Sequence, residues 1–302
     1  LSKIVVWWKR MSGGQEELVP GGYLFSRLVY LWFILVFLWL SPVFGDAVGP
    51  ESLTFRRVYE STLLKNFIYL LNYSSHLWRE VMVIHLVSAC LCFLNVGGGR
   101  LAFGKRLWLI NLGVEMMLKV VAWITGMMLL SSTFLLYNAG IYVAGSWLFF
   151  LVFYFPKAEA NWKVVFNNWA ILACRIQFIV VYFYSAAFKW LDMDWRNGDS
   201  IHFLSLIEQF TPEWLSSVYQ SSTLLTSFLT YAMLAYLTLF PILIWWKKAK
   251  GILLTIGIGF HLYTMFIMKL YDFGAIMIIG YVLFLTKEHL DYLKRVLRLK
   301  KA

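Results

Sequence analysis

The feature that most constrains this chain is the recurrence, from Tyr23 to Leu285, of mostly apolar runs long enough to cross a bilayer. About 20 such residues, wound as a helix, span the roughly 30 Å of hydrocarbon in a membrane. The runs predict helices near Tyr23–Phe44, Leu77–Leu94, Leu107–Leu130, Thr133–Phe155, Val164–Lys189, Leu224–Trp246, Ile252–Ile267 and Phe273–Leu285. The fold class is therefore all-α, a polytopic integral membrane helix bundle of about eight transmembrane helices. Composition agrees: 61% of residues are hydrophobic, 14% are charged and mean hydropathy is +0.69, which leaves no room for a separate soluble domain. The first run is too long for the core of a signal peptide and lacks a small-residue cleavage site, so it reads as the first membrane helix. The sequence opens on Leu1 and a more natural start lies at Met11, so residues 1–10 carry no functional weight.

The formal charge of +11 does not indicate nucleic acid, because the basic residues sit in short segments between apolar runs, where they set topology. A cytoplasmic N-terminus places seventeen of the 27 Lys and Arg residues on one side, among them Arg100, Lys105, Lys157, Lys163, Lys247 and those from Lys287 to Lys301. The longest opposite loop, from Trp190 to Ser222, carries Asp192, Asp194, Asp199, Glu208 and Glu213 against Arg196 alone. Both termini then lie in the cytoplasm. Leu53–Leu71 suits an amphipathic helix on the outer surface or an ordinary ordered loop. Asn95–Arg100, rich in glycine but following a membrane helix, reads as a turn and not a phosphate loop. Cys90, Cys92 and Cys174 fall inside apolar runs and read as packing residues.

Ionisable groups within a membrane are costly, so each is a candidate for function. The densest set is on the fifth run. Arg175, Tyr182 and Lys189 are spaced by seven, which at about 100° per residue aligns them on one stripe toward the outer surface. Gln177, Tyr184 and Ser185 add polar groups nearby, and the run leads into Asp192, Asp194, Trp195 and Gly198. A partly desolvated lysine in such company can act as a base. The alternative is that Lys189 reaches the interface and pairs with Asp192 while Trp190 and Trp195 join the aromatic belt. Glu115 can pair with Lys119, four residues on, or with Arg175. His85 reads as a hydrogen-bonded core histidine. His261 has the same reading, or that of a proton-transfer group if its helix faces the fifth. No spacing suggests a metal site.

The stretch Arg175-Ile-Gln177-Phe-Ile-Val-Val-Tyr182-Phe-Tyr184-Ser-Ala-Ala-Phe-Lys189, continuing through Asp194-Trp195-Arg-Asn-Gly198, resembles the signature segment of the HTTM family, the horizontally transferred transmembrane domain related to vitamin K-dependent gamma-carboxylase. Gly257-Ile-Gly-Phe260-His261-Leu, with Phe273-Gly274 further on, resembles that family's second recurring segment. The resemblance divides the chain into a cytoplasmic N-terminal segment (1–22), an HTTM-like transmembrane domain (23–285) and a basic cytoplasmic tail (286–302). It implies an extracytoplasmic active site in which a lysine deprotonates reduced vitamin K. That quinol's reaction with oxygen then yields the base that removes a glutamate γ-proton before CO2 adds. Lys189 is the nearest counterpart of that lysine, one residue further from Trp195. The carboxylase also uses a histidine after an asparagine in an earlier helix; here Asn138-Ala139 stands there, with no imidazole. The chain ends about 16 residues after its last run and carries no large luminal region of the kind that holds the carboxylase's protein substrate. Both departures argue against complete vitamin K-dependent carboxylation.

Two functions follow from the resemblance. One is a quinone- or lipid-linked enzyme, a carboxylase-like lyase or an oxidoreductase, using Lys189 with Tyr182 and His261; a reduced quinone as cofactor rests on the resemblance alone. The other is a non-catalytic accessory role in maturation, export or immunity of a secreted peptide. Some bacterial relatives of this size are linked to toxin maturation, which places the protein in a bacterial cytoplasmic membrane. Its partners are membrane lipids and either a quinone or a secreted peptide. A transporter has less support, since no inverted repeat is evident, although Pro241 should kink its helix. In either case Arg175, Tyr182, Lys189 and His261 need polar company, so the fifth and seventh helices should line an outward-opening cavity.

Overall fold

A computed structural model describes residues 21–48, 77–95, 108–132, 139–156 and 161–299. Each of the eight apolar runs contains a helix. In chain order the helices are α1 (Gly22–Val48), α2 (Leu77–Phe93), α3 (Trp108–Ser132), α4 (Ala139–Leu151), α5 (Asn161–Leu191), α6 (Met193–Asn197), α7 (Ser200–Ser205), α8 (Glu213–Gln220), α9 (Thr223–Leu243), α10 (Lys247–Phe266), α11 (Tyr271–Tyr281) and α12 (Lys287–Leu299). A 3-10 turn, Val282–Phe284, follows α11. No strand occurs among the described residues. Five helices, α1, α3, α5, α9 and α10, are long and apolar enough to cross a membrane; Ala139–Leu151 and Tyr271–Phe284 are shorter apolar helices. The protein is thus an all-α polytopic integral membrane protein.

The acidic loop of the sequence reading is itself folded, into α6, α7 and α8, and the chain is also helical over α12. Leu53–Leu71, Asn138 and residues 1–20 lie outside the described residues. Of the expected Asn95–Arg100 turn only Asn95 is described, and its φ of 58° suits a turn.

The chain forms two compact units, one of residues 1–174 and 285–302 and the other Arg175–Phe284. In the first, α1 contacts α2 and α4, and α3 contacts α2 and α4. Phe25, Val29, Phe33 and Phe37, each four residues from the last, form one fully buried stripe of α1. Phe25 meets the Trp147 ring edge-on at 4.9 Å, and Phe37 meets His85 at 4.8 Å. His85 Nδ1 donates to the Ala122 carbonyl at 3.1 Å, the core-histidine role expected for it. Lys119 pairs with Glu115 at 2.7 Å and also donates to the Tyr154 carbonyl. Of the two partners open to Glu115 in the sequence, it is therefore Lys119 that takes it. Cys92 and Cys174 are buried and Cys90 is half-buried, all three as free thiols.

In the second unit, α10 packs on α9 and α11, while α6, α7 and α8 gather at α9. Its core is aromatic: Phe178, Tyr182, Phe240, Tyr281 and Phe284 are all buried, with the Tyr182 and Phe240 rings stacked at 4.1 Å. Lys269, with a φ of 58°, forms the sharp link from α10 to α11 expected around Lys269–Asp272.

Candidate functional site

Sequence spacing put Arg175, Tyr182 and Lys189 on one stripe of α5, and the structure gives them different surroundings. At the N-terminal end of that stripe, Arg175 Nε donates to the Leu283 carbonyl at 2.7 Å, and the guanidinium lies over the Phe284 ring at 5.5 Å. Carbonyls at the end of a helix lack intrahelical donors. Arg175 supplies one to the end of the α11 segment, a structural use of its charge. Seven residues on, Tyr182 is buried and faces α10, and after seven more Lys189 is half-buried near the end of α5.

Lys189 and Tyr182 share a cavity of about 310 Å³ with His261. Ser185, Trp195 and Thr264 add polar edges, and the remaining wall is largely apolar, including Leu237, Phe260, Phe273 and Met277. Lys189 Nζ lies 3.4 Å from Ser185 Oγ and 4.7 Å from the centre of the Trp195 ring. An ammonium over an indole face is attracted by the ring quadrupole. The Lys189–Asp192 ion pair that spacing permits is not formed. Asp192 instead caps α6, its Oδ1 accepting from the backbone N–H of Asp194 at 2.9 Å and of Trp195 at 3.4 Å. Gly198 closes the other end of α6 with a φ of 86°, and its backbone N–H turns back to Asp194 and Trp195. These two caps fix a short helix whose product is the placement of Trp195.

At the other wall, His261 on α10 is buried, and its Nε2 lies 2.9 Å from Tyr182 Oη. The hydrogen bonds then continue into the unit. Tyr182 Oη is 2.5 Å from Tyr281 Oη, Tyr281 Oη is 3.1 Å from Tyr236 Oη, and Tyr236 donates to the Leu253 carbonyl at 3.1 Å. His261 Nδ1 is buried and makes no hydrogen bond among the described residues. Tyr236 also lines a second cavity of about 350 Å³ together with Tyr219 and Tyr263.

The geometry therefore joins Lys189, Tyr182, His261 and Trp195 in one cavity and leaves other expected members out. Tyr184 is exposed and stacks on Phe188. Gln177 is half-buried and makes no hydrogen bond among the described residues. Asp194 is exposed. Asn138 lies outside the described residues. Tyr236 and Tyr281 were not legible as site residues. Residues 182, 236, 261 and 281 stand on four different helices, and a tyrosine in an apolar run has the same composition whether it packs, faces lipid or hydrogen-bonds. No group of three or more potential metal ligands occurs among the described residues.

Fold and site together define a polytopic α-helical membrane protein whose second unit encloses a mostly apolar cavity with a lysine at one wall and a histidine–tyrosine chain at the other. The family model of the HTTM domain matches residues 154–289, a span that contains this whole unit. No curated protein and no solved structure matches the chain.

Proposed function

We propose that this protein is a membrane enzyme that moves a proton to or from an amphiphilic, lipid- or quinone-linked ligand held in the Lys189–His261 cavity. The observation that carries this reading is that Lys189, Tyr182 and His261, from two helices and with 71 residues of chain between Lys189 and His261, line one cavity. A volume of about 310 Å³ falls in the range of small-molecule sites, which run from about 300 to 1,000 Å³. The apolar wall suits a ring or chain, and Lys189 and His261 supply the polar ends. A reduced quinone fits this donor set and would supply an acidic hydroxyl and reducing equivalents. Lys189, once it releases its own proton, accepts one from such a hydroxyl, and the Trp195 ring attracts the ammonium that forms. The acidic loop from Trp190 to Ser222 and the distribution of basic residues support a site facing away from the cytoplasm, with both termini cytoplasmic in a bacterial membrane.

The test uses purified protein in lipid nanodiscs supplied with reduced quinone and oxygen. Lys189→Ala should lower quinol consumption by about 10²–10⁴-fold, the usual contribution of a general base. A folded Lys189→Ala protein with unchanged turnover would overturn the reading. Ala139, which offers no imidazole where the resemblance places one, favours a second reading as an accessory protein for a secreted peptide. Deleting the gene should then abolish maturation or export of that peptide, while Lys189→Ala in the chromosome leaves it intact.

A further inference from the structure

The chain His261–Tyr182–Tyr281–Tyr236 ends on a group that fixes the direction of every hydrogen bond in it. A carbonyl oxygen only accepts, so Tyr236 spends its single hydroxyl proton on Leu253. Tyr236 Oη must then accept from Tyr281, whose proton is thereby used. Tyr281 Oη accepts in turn from Tyr182. With its own proton committed, Tyr182 Oη faces the imidazole as an acceptor, and His261 Nε2 must carry a proton to meet it. The reversed order loses one hydrogen bond, sets the lone pairs of Tyr236 against those of the Leu253 carbonyl, and leaves a buried Nδ1–H without an acceptor. Chains of this kind polarise along their length, which strengthens the favoured direction.

We infer that Tyr281 and Tyr236 are positioning residues that hold His261 in the Nε2–H tautomer and leave Nδ1 as its unprotonated atom. The chain orients and does not conduct, because the Leu253 carbonyl at its far end has no proton to pass on. The tautomer follows from the hydrogen-bond chain alone and does not rest on the proton-transfer reading of the cavity.

The experiment is long-range ¹H–¹⁵N correlation on protein labelled with ¹⁵N-histidine in lipid nanodiscs, with His261→Gln identifying one signal set among the five histidines. In the neutral ring, the nitrogen coupled to both ring C–H protons, Nε2, should show the shift of a protonated nitrogen, and Nδ1 that of a bare one. Tyr236→Phe removes a hydroxyl three hydrogen bonds along the chain from His261 and makes the two directions equal in hydrogen bonds. Its spectrum should lose the single-tautomer pattern and give averaged shifts while the thermal unfolding midpoint shows the protein still folded. A wild-type ring with bare Nε2, or a Tyr236→Phe spectrum identical to wild type, overturns the inference. Neither result depends on turnover, so the Lys189→Ala assay can fail while this test succeeds, and the reverse.

Discussion

Gly257 and Gly198 show how single residues hold the second unit together. A side chain at Gly257 would place its Cβ on the hydroxyls of Tyr281 and Tyr236, so glycine is what lets α10 approach the tyrosine chain. Gly257→Ala should cost about 1–3 kcal/mol, the usual penalty for overpacking, seen as a lower unfolding midpoint in detergent. Gly198 is constrained by its backbone: with a φ of 86° it sits where an L-residue pays about 1–2 kcal/mol, and a Cβ would also meet the Tyr231 ring at 3.0 Å. Gly198→Ala should therefore destabilise by at least that amount in the same measurement. Trp195, between the two caps of α6, shows the other side of residue-level control. Its ring reaches Lys189 only because Asp192 and Gly198 fix the helix between them.

Short elements do the positioning that long ones cannot. α5, at 31 residues, carries Tyr182 and Lys189 to fixed heights along its axis. The five-residue α6 decides what Lys189 meets when α5 ends. An isolated helix this short has no stability of its own, so its caps and its contacts with α9 sustain it. Asp192→Ala removes the N-cap acceptor and should cost about 0.5–2 kcal/mol. Amide exchange should quicken at Asp194 and Trp195, whose N–H groups the Asp192 carboxylate holds, while amides in the middle of α5 keep their protection. Further along, Tyr231 donates to the Arg196 carbonyl at 2.9 Å and Thr230 accepts from the Ile201 N–H at 3.2 Å, tying α6 and α7 to α9.

At the scale of the whole molecule, each unit has its own buried polar problem and its own solution. The first unit buries the Lys119–Glu115 pair, each side chain 5% exposed, inside otherwise apolar packing. Removing one partner leaves the other charge uncompensated, so Glu115→Ala should lower stability by about 3–5 kcal/mol and reduce the yield of monodisperse protein. The double variant Glu115→Leu/Lys119→Met should recover most of that loss, because it removes both charges and keeps the volume. The second unit has no ion pair within 4 Å among its described residues and joins its buried tyrosine hydroxyls to one another, to an imidazole and to a backbone carbonyl.

The sequence by itself determined the membrane fold class, the eight helical runs, the packing role of His85 and the family segment that holds the cavity. Each of these rests on local information: run length against bilayer thickness, or residue types repeated within one stretch of chain. Lys189, Tyr182 and His261 were legible as candidates because polar atoms in apolar runs are costly and therefore conspicuous. Only the tertiary structure decided that Asp192 caps a helix and does not pair with Lys189, that Arg175 serves the end of α11, and that Tyr184 faces outward. It alone brought Tyr281 and Tyr236 to Tyr182, since the direction of a hydrogen bond depends on which atoms from separate helices come within about 3 Å, and no spacing along one helix encodes that distance.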